Sequence, residues 1–245
     1  MKLVSVIIPY FKKKKYIGLS ISSVLNQTYN NLEVIIIYDD VQEDDLNYIK
    51  DIVSRDNRIK LIINNANKGA GESRNIGISN SSGDYIAFLD ADDTWEKIKL
   101  EKQINFMKQN NIDFSHTSYK IQNEQNSILS IRKAKNFFSY DDLLKSCDIG
   151  LSTVVLKREI AKIDKFPNLK TKEDFVFWLN LLKKKIKIYG FDYELTTWRK
   201  TNNSLSSSTF QKLVDGYKVY RVYMNFNFIK SIYYLFCLGI NYLKK

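Results

Sequence analysis

The sequence predicts an α/β fold: a mainly parallel central sheet flanked by helices, followed by a helical C-terminal appendage. Two observations predict it. Over roughly the first ninety residues, short apolar β-rich runs alternate with stretches whose apolar residues recur at helical spacing, which is the pattern of βαβ crossovers. From Phe210 onward the composition turns aromatic and basic, with no repeat or low-complexity linker before the change. The chain has 245 residues, 44% of them apolar or aromatic, which is ample for one large core.

The elements follow in order. Strands are expected at 3–8, 32–38, 59–63 and 85–89, each a short run rich in Val, Ile or Phe. Ile17, Ile21, Val24 and Leu25 mark a helix between the first two strands, and Leu46, Ile49, Ile52 and Val53 mark one between the next two. The stretch "KGAGESRNIGISNSSG" places glycines before a short helix starting near Glu72, with Arg74 in its first turn; glycine lets backbone approach a ligand, and a helix N-terminus favours anions. Leu100, Ile104 and Met107 mark a further helix, and residues 113–134 read as strands and loops. In "KEDFVFWLNLLKKK" the residues Phe175, Trp178, Leu179 and Leu182 form one stripe, with Glu173 and Asp174 in the first turn, where acids suit the helix dipole.

Composition narrows the function. The two cysteines, Cys147 and Cys237, are far apart with no neighbouring histidine, so neither a disulfide framework nor a zinc site is expected, and a reducing cytoplasm fits. The start "MKLVSVIIPYFKKKK" has its basic run after the apolar stretch, the reverse of a secretory signal, and reads as a first strand. A formal net charge of +11 calls for an anionic partner: nucleic acid, an acidic membrane surface or a phosphorylated substrate.

Charge of the other sign is concentrated where strands end. "DYIAFLDADD" runs Ile86, Ala87, Phe88 and Leu89 straight into Asp90, Asp92 and Asp93. Carboxylates so close raise one another's cost of ionising unless water or a cation screens them. Pro9 and Tyr10 follow the first strand, and Asp39 and Asp40 follow "VIIIY". In an open α/β sheet, ligands bind at the carboxyl edge of the strands, so these three clusters converge on one site.

With these residues in view, the sequence resembles the family 2 glycosyltransferases, inverting enzymes of the GT-A fold. The resemblance is carried by "VSVIIPYFKKKKYIGLSISSVLNQTYNNLEVIIIYDD", "NKGAGESRNIGISNSSGDYIAFLDADD", "KEDFVFWLNLL" and "WRKTNNSLSSS". It implies a glycosyltransferase domain over residues 1–208 and leaves 209–245 as a basic, aromatic helical segment.

What the resemblance implies can be set out residue by residue. Asp90-Ala91-Asp92 looks like the Asp-x-Asp motif that holds Mn²⁺ or Mg²⁺ against the diphosphate of a nucleotide-sugar donor. Asp92 is the implied metal ligand, and Asp90 lies beside it or on the ribose. Asp93 is expected to cap the next helix. Asp40 matches the position that accepts a hydrogen bond from the base, a uracil if the donor is a UDP-sugar, with Pro9 and Tyr10 lining that pocket and Arg74 near the base and phosphates. Here "DDVQEDD" replaces the usual Asp-Asp-Gly-Ser turn. By resemblance Asp174 is the general base that strips the acceptor hydroxyl, and Glu173 its neighbour. Trp198 and Arg199 match a Tyr-Arg pair before a Ser-rich loop that closes over donor phosphates. Thr201 stands where many relatives place a metal-binding histidine, and the single histidine, His116, is expected to be a strand or pocket residue.

The resemblance implies a glycan acceptor carried on lipid, in bacterial surface polysaccharide or lipooligosaccharide synthesis at the inner face of the cell membrane. Two other readings compete. A catalytically silent sugar-nucleotide-binding relative is compatible with the altered turn and the missing histidine. A nucleic-acid-binding module would suit the Lys12–Lys15 run and the 16 tyrosines, but the acidic cluster repels a phosphate backbone, so no nucleic acid partner is expected. In the C-terminal segment six basic residues face one acid, Asp215, among aromatics such as Tyr233, Tyr234 and Phe236. That mixture suits an anionic membrane surface, or equally a packed helix or a homodimer contact. The apolar stretch from Ser231 to Leu243 falls short of the ~20 residues a spanning helix needs.

Overall fold

A computed structural model describes residues 1–201 and 209–243. Its first half is a parallel sheet in the order β3-β2-β1-β4, formed by β1 (Val4–Tyr10), β2 (Leu32–Tyr38), β3 (Ile59–Ile63) and β4 (Tyr85–Phe88). Val4 pairs with Leu32 on one side and with Tyr85 on the other. The crossovers are α1 (Lys14–Leu25), α2 (Glu43–Ser54) and α3 (Ala70–Ser79). Strands β2 and β4 are buried along their whole length, which is why they read as apolar runs broken only by Glu33, whose carboxylate accepts the Ser5 hydroxyl. Successive strand residues point to opposite faces: Val6 and Ile8 pack with Ile17, Ile21 and Val24 of α1, whereas Ile7 and Phe88 belong to the core on the other face.

Chain direction turns away from β1 toward β3 on one side and toward β4 on the other, so the strand order reverses between β1 and β4. That reversal opens a crevice at their carboxyl ends.

Beyond β4 the sheet is mixed, and here the sequence reading was incomplete. The two-residue β5 (Thr94–Trp95) and α4 (Lys99–Gln109) precede β6 (Phe114–Gln122) and β7 (Ile128–Arg132), the hairpin that occupies the ambiguous segment. After α5 (Tyr140–Leu144) comes β8 (Val155–Lys157), which lies antiparallel between β4 and β6. Then α6 (Arg158–Ala161) and α7 (Glu173–Lys183) lead to β9 (Tyr189–Arg199), parallel to β6 and capped at the edge by β5. Strand β8 is too short to show a period, and β9 is half-exposed, so neither gives a clear sequence signal.

The stripe predicted on α7 is found: Phe175, Trp178, Leu179 and Leu182 are buried beneath the sheet, and Trp178 meets Phe114 edge-on at 4.9 Å between centroids. The C-terminal segment forms α8 (Thr209–Lys218), a π-helical turn at Val219–Tyr223 and α9 (Phe228–Leu243). Val219, Tyr220, Met224 and Leu238 enter the same core as α7. Tyr220 donates its hydroxyl hydrogen to the Leu144 carbonyl at 2.6 Å, and buried Asp215 accepts from the backbone N–H and hydroxyl of Thr171, both at 3.0 Å. One face of the segment is therefore packed on the protein. On the other face Phe228, Ile229, Ile232, Tyr233 and Phe236 recur at helical spacing and are exposed, Ile229 at 78%. Among the described residues no helix is long and apolar enough to cross a membrane.

Candidate active site

The carboxyl end of β4 meets the start of α7, and a single arginine, Arg74, ties the two together. Arg74 lies on α3, which begins at Gly69, a glycine with φ +84°, where the left-handed backbone turns the chain into the helix. The turn is held by Asp39: its buried carboxylate accepts from the Asn64 side-chain amide at 2.7 Å and from the backbone N–H groups of Lys68 and Gly69, each at 2.8 Å. Asp39, noted from sequence only as part of an acidic pair, thus sets the frame that aims Arg74.

Only 4% of the Arg74 side chain is exposed. Its Nη2 donates to Asp90 Oδ1 at 2.8 Å and its Nη1 to Glu173 Oε1 at 2.6 Å. Burial works against its charge, but the two carboxylates outweigh that and raise its pKa above the ordinary arginine value. The guanidinium thereby joins the Asp-x-Asp segment to the first turn of α7. That turn starts after Lys172, a residue with φ +65°, so the helix begins abruptly with Glu173 and Asp174.

The two acids of this turn have different fates. Glu173 is spent on Arg74. Asp174 accepts the backbone N–H of Phe175 at 2.7 Å, and no cation among the described residues pairs with it. Burial first, and then the neighbouring Glu173, push its carboxyl up from 3.8 to about 7, with Arg74 pulling the other way. A carboxylate poised there can take a proton at neutral pH.

The three aspartates after β4 are also handled separately. Asp90 is about a third exposed and paired with Arg74. Asp92 is paired with Lys13, whose Nζ lies 2.6 Å from its Oδ2; burial raises its pKa, and Lys13 opposes the rise. Asp93 does not cap the next helix, which corrects the sequence expectation: α4 begins after Ile98 with no side-chain cap. Instead Asp93 is wholly buried, accepting from the Ser152 hydroxyl at 2.5 Å and the Arg199 backbone N–H at 2.9 Å. Burial and the charges of Asp92 and Asp90 push its pKa well up. Ala91 is buried between them, its carbonyl taking the Ser20 hydroxyl at 2.9 Å.

Tyr10, expected to line the base pocket, and Asp40, expected to accept a hydrogen bond from the base, both make scaffold contacts. Tyr10 is fully buried, stacked on Tyr38 at 5.2 Å, and its hydroxyl donates to Asp45 Oδ2 at 2.6 Å. The "VQEDD" turn supplies that aspartate and so draws the ring inward. Asp40 gives one oxygen to the Lys12 N–H at 2.9 Å and the other to the Val41 N–H at 2.8 Å, pinning the turns after β1 and β2. Pro9 is half-buried on β1, paired with Ile37. Trp198 is half-buried on β9 opposite Ile121, while Arg199 is buried, with Nε donating to the Asp92 carbonyl at 3.2 Å and Nη1 to Asn126 Oδ1 at 2.9 Å. The Ser-rich loop after Thr201 lies outside the described residues. His116 is a buried residue of β6, its Nε2 2.8 Å from the Lys135 carbonyl, and burial holds its pKa down at about 4, so it serves the strand.

Sequence reasoning missed Ser152. It lies in a short 3₁₀ turn at Leu151–Thr153, accepts the Asp90 N–H at 3.0 Å, donates to Asp93, and its carbonyl takes the Trp95 indole N–H at 2.7 Å. A lone serine before an apolar run carries no pattern that would single it out. Lys13 was read only as part of a charge run, although its place just after β1 put it on the site's edge.

A hard divalent cation held against a diphosphate needs one or two protein carboxylates, with water and phosphate oxygens completing its shell. Asp90 and Asp92 meet that need. Among the described residues no group of three or more His, Cys, Asp or Glu is placed to hold a metal ion without a ligand's help.

Comparison with known proteins decides the family. The sequence profile of glycosyl transferase family 2 matches residues 5–156. The chain belongs to that family. It is a glycosyltransferase, with the GT-A fold anticipated from its motifs. It is 40% identical over 234 residues to the UDP-Glc:alpha-D-GlcNAc-diphosphoundecaprenol beta-1,3-glucosyltransferase WfgD of Escherichia coli, covering 95% of this chain and 90% of the relative. The transferase superposes on S. aureus TarS in complex with UDP-GlcNAc at a TM-score of 0.75 and 20% identity, over 96% of this chain and 70% of that one. It also superposes on the mannosyltransferase PcManGT of Pyrobaculum calidifontis in complex with GDP-Man and Mn²⁺ at 0.69 and 11% identity, over 91% and 64% of the respective chains.

Proposed function

We propose that this transferase moves a sugar, with inversion, from a UDP-sugar to a hydroxyl of a lipid-linked glycan in bacterial surface polysaccharide synthesis. The observation that carries the reading is the Arg74 clamp. It consumes Glu173 and leaves Asp174 as the uncommitted carboxyl beside the Asp-x-Asp segment, with a pKa near neutrality. Asp174 would take the proton from the acceptor hydroxyl, whose oxygen then bonds to the donor's anomeric carbon as the bond to the diphosphate breaks. Asp90 and Asp92 would hold a divalent cation, which when bound supplies neutralising charge for the departing diphosphate. Asp40 and Asp39 position the turns that border the nucleotide, and Arg199 closes the far wall. The names of WfgD, for a UDP-glucose donor and a diphosphoundecaprenol-linked acceptor, and of PcManGT, with bound Mn²⁺, support the donor class, the lipid-linked acceptor and the metal.

A lipid-linked acceptor requires the enzyme to work at the cytoplasmic face of the membrane. The exposed apolar stripe of α9, with Lys230 beside it, is suited to the headgroup boundary of anionic lipid. The test is a donor panel: nucleoside diphosphate release from sugar nucleotides is measured with a GlcNAc-diphosphate lipid acceptor in Mn²⁺ or Mg²⁺. Acceptor-dependent UDP release that EDTA abolishes is the expected result. Full activity in EDTA, or release only from a non-uridine donor, overturns the corresponding part of the reading.

A further inference from the structure

Asp92 is the carboxylate assigned above to the divalent cation, yet it already has a cation. The Lys13 ammonium lies 2.6 Å from its Oδ2 and donates to the Thr201 hydroxyl at 3.1 Å. The pair is largely shielded, with side-chain exposures of 20% and 12%, and Thr201 is buried. Lys13 is not a loose surface lysine either. The preceding residue, Lys12, has φ +52°, a left-handed turn that Asp40 holds by accepting the Lys12 N–H, and Lys13 itself is the residue from which α1 starts. The backbone is thus built to point this side chain at the end of β4. A hydroxyl, rather than an imidazole, is the ammonium's second contact, because position 201 is threonine.

An ammonium and a divalent ion compete for the same carboxylate oxygen, because both gain from the one negative charge and neither tolerates the other at contact distance. We infer that Lys13 is a resident counter-cation of Asp92, which suppresses metal binding to the free enzyme and moves onto the donor's phosphates when metal and nucleotide arrive together. The exchange would make the loading of metal and donor cooperative. With the ammonium displaced from Asp92, the incoming diphosphate offers it a new anion, and lysine binds phosphate as a point charge on a flexible stem. This inference rests on the reading of Asp92 as the metal carboxylate.

Mn²⁺ binding to the purified full-length enzyme, followed by the electron paramagnetic resonance of free Mn²⁺, tests it without any turnover. For Lys13→Met, Mn²⁺ alone should bind about tenfold more tightly than to the wild type, the scale of one shielded ion pair. UDP titrated in the presence of saturating Mn²⁺ should bind the same variant more weakly. Lys13→Arg, which keeps the cation, should suppress Mn²⁺ as the wild type does. Asp92→Asn should abolish Mn²⁺ binding in either background. If Asp92→Asn binds Mn²⁺ normally, the metal reading itself fails. If Asp92→Asn abolishes binding but Lys13→Met leaves Mn²⁺ affinity unchanged, the metal reading stands and the counter-cation inference is wrong. Circular dichroism melting of each variant confirms that the fold is intact; Lys13 sits at the rim, and its loss removes no core contact.

Discussion

Asp174→Asn should make the protein more stable while nearly silencing it, and the gain should depend on pH. The carboxyl of Asp174 is pushed up from 3.8 to about 7, chiefly by burial and then by Glu173. An acid whose folded pKa lies above its unfolded value holds its proton more tightly in the folded state. Its ionisation therefore costs stability as pH rises from about 4 to about 7, and the cost is complete above that. Three pH units at about 1.36 kcal/mol each set a ceiling near 4 kcal/mol. Asp174 keeps some solvent contact, so we expect roughly 2–4 kcal/mol. Asparagine retains the oxygen that accepts the Phe175 N–H and cannot ionise. Urea denaturation at pH 8 should show the variant more stable by that amount, with the difference vanishing near pH 4. Its turnover should fall by about 10²–10⁴, the usual cost of losing a general base. Equal or lower stability at pH 8 would refute the reasoning, because it would mean that a cation compensates the carboxylate in the folded protein.

The same electrostatics move the wild-type pH profile. Turnover should rise with pH through about 7 as Asp174 ionises, and Glu173→Gln, by removing the like charge beside it, should shift that limb to lower pH by about half to one unit in a kcat profile. A Cβ added at Gly77 would stand 2.4 Å from Ile7 Cγ2, so Gly77→Ala should cost about 1–3 kcal/mol in urea melts. Gly239, with nothing within 4 Å, should accept alanine and gain a few tenths of a kcal/mol or more from helix propensity. Ile229→Glu combined with Phe236→Glu, both on the exposed stripe of α9, should abolish flotation with anionic vesicles at low salt without lowering the melting temperature. A truncation before α8 should lower the melting temperature sharply, since Val219, Tyr220 and Leu238 belong to the core.

Much of this architecture was legible because it is written in local pattern. Strands β2 and β3 fall at the residues expected, since each is a short run dominated by Ile, Leu or Val, with a single charged residue, Glu33 or Lys60, near its start. The α7 stripe was equally plain. What could not be read is whatever depends on partners distant in sequence. The pairing of β8 with β4, the Arg74 bridge across 99 positions to Glu173, and the place of Ser152 between Asp90 and Asp93 leave no periodic trace. Resemblance brought Tyr10 and Asp40 to the right edge of the sheet, but it could not see that Asp45, in the atypical turn, would turn Tyr10 inward.

The acidic strand end itself raises the last point, which is how so many carboxylates coexist in one crevice. Each is neutralised by different means. Asp90 leans on Arg74 and Asp92 on Lys13, while Asp93 is pushed by burial toward its protonated form and held by the Ser152 hydroxyl and the Arg199 backbone. Asp174 alone is left near the midpoint between charged and neutral. On the proposed reading the arrangement separates the roles physically: the groups that would hold a phosphate-bound cation have counter-charges, the one that shapes the wall has hydrogen bonds, and the one that would exchange a proton has no counter-charge and a single backbone hydrogen bond. Arg74 is the common element, because it stabilises Asp90 directly and restrains the pKa of Asp174 from a distance. Its removal in Arg74→Met should therefore be felt twice. Metal-dependent nucleotide binding should weaken, and the pH at which turnover sets in should rise above the wild-type value, since the charge that holds Asp174 down is gone. A variant that lost nucleotide affinity but kept the wild-type pH onset would break that link and place the control of Asp174 elsewhere.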